Sequence, residues 1–84
     1  MTFHVYLIVS KVKKRTISYV GYTNNINNRL KLHNQGKGAK FTRGRKWKLI
    51  YYKKYSSKKI AMVEEYKLKK DYKLRSIIKK KNGF

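Results

Sequence analysis

The run Phe3-His4-Val5-Tyr6-Leu7-Ile8-Val9 limits what this chain can become more than any other stretch. Its β-branched and aromatic residues make it a strand, placed here at Phe3 to Ser10. Lys11 to Arg15 follows as a basic turn, and Thr16 to Thr23 reads as a second strand. In that strand Ile17, Tyr19 and Gly21 share one face, and Ser18, Val20 and Tyr22 the other. So short a connection favours an antiparallel hairpin over a crossover.

Beyond the hairpin the period changes. Asn24-Asn25 offers a helix cap, and Ile26 and Leu30 stand one turn apart, which predicts a helix from about Ile26 to Asn34. Gly36-Lys37-Gly38 ends it. Residues 36–46 form a basic loop, and Trp47 to Tyr55 is a third strand. Ser56 and Ser57 can cap a second helix from about Lys58 to Lys70. Asp71 starts a third helix ending near Asn82-Gly83, or the second helix runs on, or a basic tail frays. The order ββαβα, with a possible C-terminal helix, predicts an α+β fold: a small three-stranded antiparallel sheet flanked by helices. With 84 residues and no proline, linker or repeat, one domain over residues 1–84 is expected, with a basic C-terminal segment from about residue 72.

Charge narrows the function. The chain holds 24 Lys+Arg against 3 Asp+Glu, a formal net charge of +21. Such a chain repels itself, and a polyanion relieves the repulsion while releasing condensed counterions. Lysine-rich codons of an AT-rich genome explain part of the lysine count; they do not explain why acids are so few. Arg15, Arg29, Arg43, Arg45 and Arg75 are the arginines, so 24 − 5 = 19 of the cations are lysines. Lysine holds phosphate well and reads base edges poorly, which predicts weak sequence preference. The chain has no cysteine, which excludes disulfides, thiolate metal sites and a cysteine nucleophile. The start Met1-Thr2-Phe3-His4 lacks a signal-peptide pattern, and no apolar run approaches the roughly 20 residues a membrane span needs. A cytoplasmic protein with no membrane partner is expected.

If a hard cation such as Mg²⁺ is held by carboxylate, one of Glu64, Glu65 and Asp71 must hold it, because the chain has no other acid. Ile60, Ala61 and Leu68 define one arc of the second helix, with Glu64 inside it and Glu65 at its edge. Periodicity leans slightly toward Glu64 as the inward acid. The ordinary reading makes these acids helix-end charges or i,i+4 partners of lysines such as Lys69. Arg29 and His33, four apart, stack on one helix face beside Ile26 and Leu30. Arg29 is suited to phosphate or transition-state charge, and His33 to proton transfer. Their plainer readings are a solvated phosphate contact and a helix-end histidine favoured by the dipole. Tyr6 and Tyr19 occupy neighbouring strands, where a cross-strand aromatic pair is the simplest account. Gly21 permits close backbone approach.

Together these positions resemble the GIY-YIG nuclease family. Val5-Tyr6 followed by Tyr19-Val20-Gly21 resembles the two motifs that name it. The likeness continues through Thr23, Asn25, Ile26, Arg29 and His33, the segment His33 to Arg43, Ala61, and Glu65 to Lys69. Each piece is short; the ordered set, covering Val5 to Lys69, is specific. Small stand-alone bacterial members are the nearest look. The first motif departs from the family in reading His4-Val5-Tyr6, and the hairpin turn is lysine-rich.

The resemblance implies a metal-dependent endonuclease cleaving phosphodiester bonds in DNA, more than RNA, with a role in repair or recombination. The alternative is a non-catalytic nucleic-acid-binding module of the same fold. The implied catalytic residues are Tyr6, Tyr19, Arg29, His33 and Glu65. Tyr6 would activate or orient water, Tyr19 would position water or phosphate, and Arg29 would stabilise phosphate charge. His33 would assist proton transfer. Glu65, here preferred to Glu64, would bind a single divalent ion, Mg²⁺ or Mn²⁺. Gly21, Lys37, Lys40, Arg43, Arg45 and Lys46 would meet nucleic acid, with Lys79-Lys80-Lys81 adding backbone contacts. The expected product is a weak, rather unspecific nuclease, or a structure-selective one directed by a targeting protein partner.

Overall fold

The computed structural model describes residues 2–84; the expected domain begins at Met1, which lies outside the described residues. Strand β1 (Phe3–Val12) and strand β2 (Arg15–Thr23) form the hairpin. They pair antiparallel from His4 opposite Thr23 to Val12 opposite Arg15. The turn is therefore Lys13-Lys14, shorter than the Lys11–Arg15 segment expected, because Lys11, Val12 and Arg15 continue the ladder. Lys13 takes the left-handed conformation (φ 57°) that a tight hairpin demands of its first central residue.

Helix α1 (Ile26–Asn34) follows, then a 3₁₀ turn at Lys40–Thr42, strand β3 (Lys48–Tyr55), helix α2 (Lys58–Lys70) and helix α3 (Tyr72–Lys81). The caps are local chemistry. Asn25 accepts from the Asn28 N–H, Ser57 from the Ile60 N–H, and Asp71 from the Leu74 N–H. Each side chain thus satisfies one of the donors that a helix start leaves open. Asp71 stops α2 and starts α3, so the C-terminal segment is a distinct helix.

The sheet order is β2-β1-β3, with both pairings antiparallel. Strand β1 is central and covered on both faces, which is why its sequence is a nearly unbroken apolar run. On one face Val5 and Leu7 pack with Val20, Ala61, Leu68 and Ile78, under α2 and α3. On the other, Tyr6 and Ile8 pack with Trp47, Ile26 and Leu30, under α1 and the loop that follows it. Leu7 is 0 % exposed; truncating it to alanine costs about 2–5 kcal/mol, a large share of the stability of so small a domain.

In β3, Leu7 faces Tyr51 while Ile8 faces Leu49, so Ile50 is an extra residue in a bulge. Ile50 and Tyr51, adjacent in sequence, consequently pack against the same cluster. No helix among the described residues is long and apolar enough to cross a membrane.

Candidate active site

Tyr6 points from the central strand toward α1, and its hydroxyl meets His33 Nε2 at 2.7 Å. This contact depends on Gly21, the residue directly opposite Tyr6 in the β1–β2 register. A Cβ on Gly21 would collide with the Tyr6 hydroxyl, and with its ring carbon Cζ at 2.6 Å. Gly21 is thus the opening through which the phenol passes. Tyr6 and Tyr19 are not directly opposed, since Tyr19 faces Ile8. Tyr19 instead lays its ring against His33, centroid to centroid 5.2 Å.

His33 is 0 % exposed. A dipole-favoured helix-end histidine would be charged and wet; this one is neither. Burial pushes its pKa below the ordinary 6.5, and the Arg29 guanidinium adds to the effect. Its Nδ1 lies 2.8 Å from the Thr42 hydroxyl. That hydroxyl donates to the Ala39 carbonyl at 2.9 Å and accepts from the Ala39 N–H at 3.1 Å. A hydroxyl has one proton. The assignment that satisfies every contact gives that proton to Ala39, so Nδ1–H donates to Thr42. Nε2 then carries a lone pair and accepts from Tyr6. The Nδ1–H tautomer is the assignment that keeps both Thr42 hydroxyl contacts to Ala39.

The loop holding Thr42 is itself anchored. Trp47 Nε1 donates to the Thr42 carbonyl at 2.8 Å, and Asn34 Nδ2 donates to the Trp47 carbonyl at 3.2 Å. Gly38 is needed for closure, because a Cβ there would strike the His33 ring, reaching Cγ at 2.8 Å.

Burial is the largest influence on Tyr6. It pushes the phenol up to about 12, against the opposing pull of Arg29. Both shifts agree: at neutral pH the proton rests on Tyr6 and His33 is an uncharged acceptor.

A cleft of about 400 Å³ brings the pieces together. Tyr6, Tyr19, Gly21, Arg29 and Glu65 line it, with Lys58, Phe3 and Thr23. His33 stands behind Tyr6 and Tyr19 rather than in the cleft. Since β2 is an edge strand, residues of α1 and α2 can line one cleft at its rim.

The three acids separate cleanly. Asp71 caps α3. Glu64 pairs with Lys67 at 3.1 Å and lines a different hollow, beside Tyr51 and Tyr55. Glu65 pairs with Lys69 at 3.0 Å, as the ordinary reading anticipates, and also lines the cleft. The lean of periodicity toward Glu64 fails because Ile60 is 46 % exposed and does not belong to the buried arc. Ala61 and Leu68 define that arc, and the two glutamates flank it on opposite sides, about 100° apart.

The basic loop divides. Lys37 and Lys40 are exposed and line neither the cleft nor the hollow at the hairpin tip. Arg43, Arg45 and Lys46 gather instead with Lys11 and Lys13 around that hollow. Thr42, Lys58 and Trp47 carry no role in the sequence reading. Thr42 lies in the segment His33 to Arg43 that carries the resemblance, but as one small polar residue in a lysine-rich loop it signals no role.

Comparison with known proteins bears on family and fold. A UPF0213 protein of Oceanobacillus iheyensis is 45 % identical over 65 residues, covering 76 % of this chain and 74 % of that protein. A UPF0213 protein of Clostridium perfringens is 44 % identical over 66 residues, covering 77 % of this chain and 70 % of that protein. The solution NMR structure of a UPF0213 protein from Bacillus halodurans is 37 % identical with a TM-score of 0.52, covering 99 % of this chain and 88 % of that one. It carries the same α+β arrangement. The family pattern described as the GIY-YIG catalytic domain matches residues 2–82, and the chain therefore belongs to the GIY-YIG nuclease family.

Proposed function

We propose that this protein is a metal-dependent endonuclease that hydrolyses phosphodiester bonds in DNA, in repair or recombination. The observation that carries the reading is the convergence of Tyr6, Tyr19, Arg29 and Glu65 on one cleft, with a neutral histidine hydrogen-bonded behind Tyr6. A core packing role alone would not set an arginine beside the Tyr6 phenol and a carboxylate on the same cleft wall.

The proton path follows from the network. Water attacking phosphorus must lose a proton. The Tyr6 oxygen takes it while the phenolic proton passes to His33 Nε2, forming an imidazolium. Thr42 holds Nδ1–H through the step. Arg29, which has no carboxylate partner within 4 Å among the described residues, is free to stabilise the phosphate charge. Tyr19 positions the water or phosphate. Lys58 adds a second cation to the cleft wall.

The donor set suits a hard divalent ion. Glu65 is the cleft's carboxylate, and the described residues hold no cluster of three or more His, Asp or Glu that would make an all-protein cage. Mg²⁺ is commonly held by one or two carboxylates plus waters and substrate phosphate. Glu65 would hold Mg²⁺ or Mn²⁺ in exchange for its Lys69 partner. Such an ion would polarise the scissile phosphate and stabilise the leaving oxygen. Arg43, Arg45, Lys46, Lys37 and Lys40 would hold the polymer backbone without reading sequence. A targeting protein would supply selectivity.

The test is cleavage of plasmid, branched and single-stranded substrates in Mg²⁺, Mn²⁺ or EDTA, comparing wild type with Glu65→Gln. Metal-dependent nicking, lost in the variant while binding persists, is expected. Cleavage surviving in excess EDTA or in Glu65→Gln would overturn the mechanism. Salt-sensitive binding without any cleavage would move the protein to a non-catalytic binding module.

A further inference from the structure

A second hollow opens against the other side of Tyr19. It has a volume of about 250 Å³ and is lined by Ser18, Tyr19, Val20, Phe41, Lys69 and Arg75. Three features in it are unexplained by the proton path. Phe41 is 51 % exposed, although a phenylalanine in a small domain gains by burial. Its ring lies nearly parallel to Tyr19, 22° between planes and 6.2 Å between centroids, so the two form a continuous aromatic wall. Across from them Arg75 has a buried Nε donor with no acceptor, a cost a folded chain normally avoids.

Neighbouring contacts tie the hollow to the cleft. Tyr19 lines both. Lys69, on the wall, is the ion-pair partner of Glu65. Arg45, which is not part of this wall, holds Phe41 from another side. Its guanidinium stands 5.5 Å from the ring centroid and donates to the Phe41 carbonyl at 2.8 Å. The exposed aromatic is therefore fixed in place.

We infer that this hollow binds an unpaired nucleobase of the substrate, the one adjoining the scissile phosphate. A nucleotide joins a flat π face to an anionic backbone, and the wall joins an aromatic face to two cations. Base stacking on exposed aromatics is tolerant of sequence, which suits a lysine-rich chain poor in base-reading arginines. The Arg75 guanidinium, 5.8 Å from the Tyr72 ring centroid, lines the hollow and supplies positive charge for a phosphate oxygen of the nucleotide. A paired base inside a duplex keeps both faces stacked and cannot enter, so the preferred substrate is single-stranded, flapped or looped at the cut. Placement beside the reacting phosphate rests on the proposed hydrolysis; binding of the base does not.

The experiment is done in EDTA, where no cleavage occurs. Binding of a fluorescein-labelled oligothymidylate is compared with binding of an abasic deoxyribose-phosphate oligomer of equal length and charge. Wild type should bind the oligothymidylate about tenfold more tightly. Phe41→Ala should erase the preference without changing the salt dependence of binding, because no phosphate contact is removed. Phe41→Leu, which keeps apolar bulk without a π face, should do the same and serves if Phe41→Ala does not fold. Phe41→Tyr should retain the preference. Equal affinity of wild type for both oligomers would overturn the inference, as would a preference that survives in Phe41→Leu. A preference with no cleavage under any condition would leave the base site standing and remove the nuclease reading. Cleavage with no preference would do the reverse.

Discussion

Thr42→Val isolates the part of the site that holds a proton in place. The substitution keeps shape and removes the hydroxyl that accepts from His33 Nδ1–H at 2.8 Å. The histidine is 0 % exposed, so water cannot replace the lost partner. A buried donor left unpaired costs about 1–3 kcal/mol, and the Ala39 N–H loses its acceptor as well. The ring can escape part of this cost by moving its proton to Nε2. It then donates to Tyr6 instead of accepting from it, and the phenolic proton has nowhere to go. Stability should fall by about 1–3 kcal/mol in urea unfolding. Cleavage under conditions where the variant is fully folded should fall about 100-fold or more, within the range general base catalysis contributes. The imidazole ¹⁵N shifts should report Nδ1–H in wild type and a growing Nε2–H population in Thr42→Val. Thr42→Ser should restore both shift and rate. A wild-type ring protonated at Nε2, or a Thr42→Val enzyme that is folded and fully active, would refute the relay.

Three further outcomes follow from the same geometry. Gly21→Ala drives a methyl into the Tyr6 hydroxyl; overpacking of this kind costs about 1–3 kcal/mol, so the melting temperature and the cleavage rate should fall together. Glu64→Gln removes a pair with exposed Lys67 away from the cleft, so its cleavage rate should match wild type while Glu65→Gln abolishes it. For pH, the lowered His33 value means the folded state resists protonation: stability is fully present above the ordinary 6.5 and falls as pH drops through the lower folded value. Cleavage should share that acidic limb, with a midpoint below 6.5, and a midpoint above it would contradict the buried neutral ring. At the alkaline end Tyr6 is raised from 10.0 to about 12, so its contribution is present below 10 and is lost as pH climbs through about 12.

What was legible in the sequence lies where one segment decides its own structure. The apolar run from Phe3 to Val9 identifies a strand because it needs cover on both faces. Asn25, Ser57 and Asp71 mark helix starts because capping is local. What was not legible depends on which segments meet. Ile60 looks like a core residue by spacing, yet it lies outside the buried arc, and that shift changes which glutamate turns toward the cleft. The bulge at Ile50 breaks the alternation that a strand pattern assumes. Thr42 becomes important through the packing of its loop over His33, a contact between residues nine apart that no periodicity encodes.

The resting proton makes the buried tyrosine intelligible. A phenol pushed up to about 12 is a poor base if judged alone, and a histidine pushed below its ordinary value is a weak proton store. Hydrogen-bonded to each other at 2.7 Å, they compensate. Burial disfavours charge on either group, so the pair rests in its neutral form. Negative charge arriving in the cleft, as phosphate does, favours an imidazolium at His33 by simple Coulomb attraction. On the proposed hydrolysis, a cation held at Glu65 would favour negative charge on the Tyr6 oxygen by the same rule. The two charges that separate in the proposed proton transfer would thus each be stabilised by a component of the substrate complex. A pair exposed to water would titrate independently and lose this coupling, which is why Gly21, Gly38, Thr42 and Trp47 all serve to seal it.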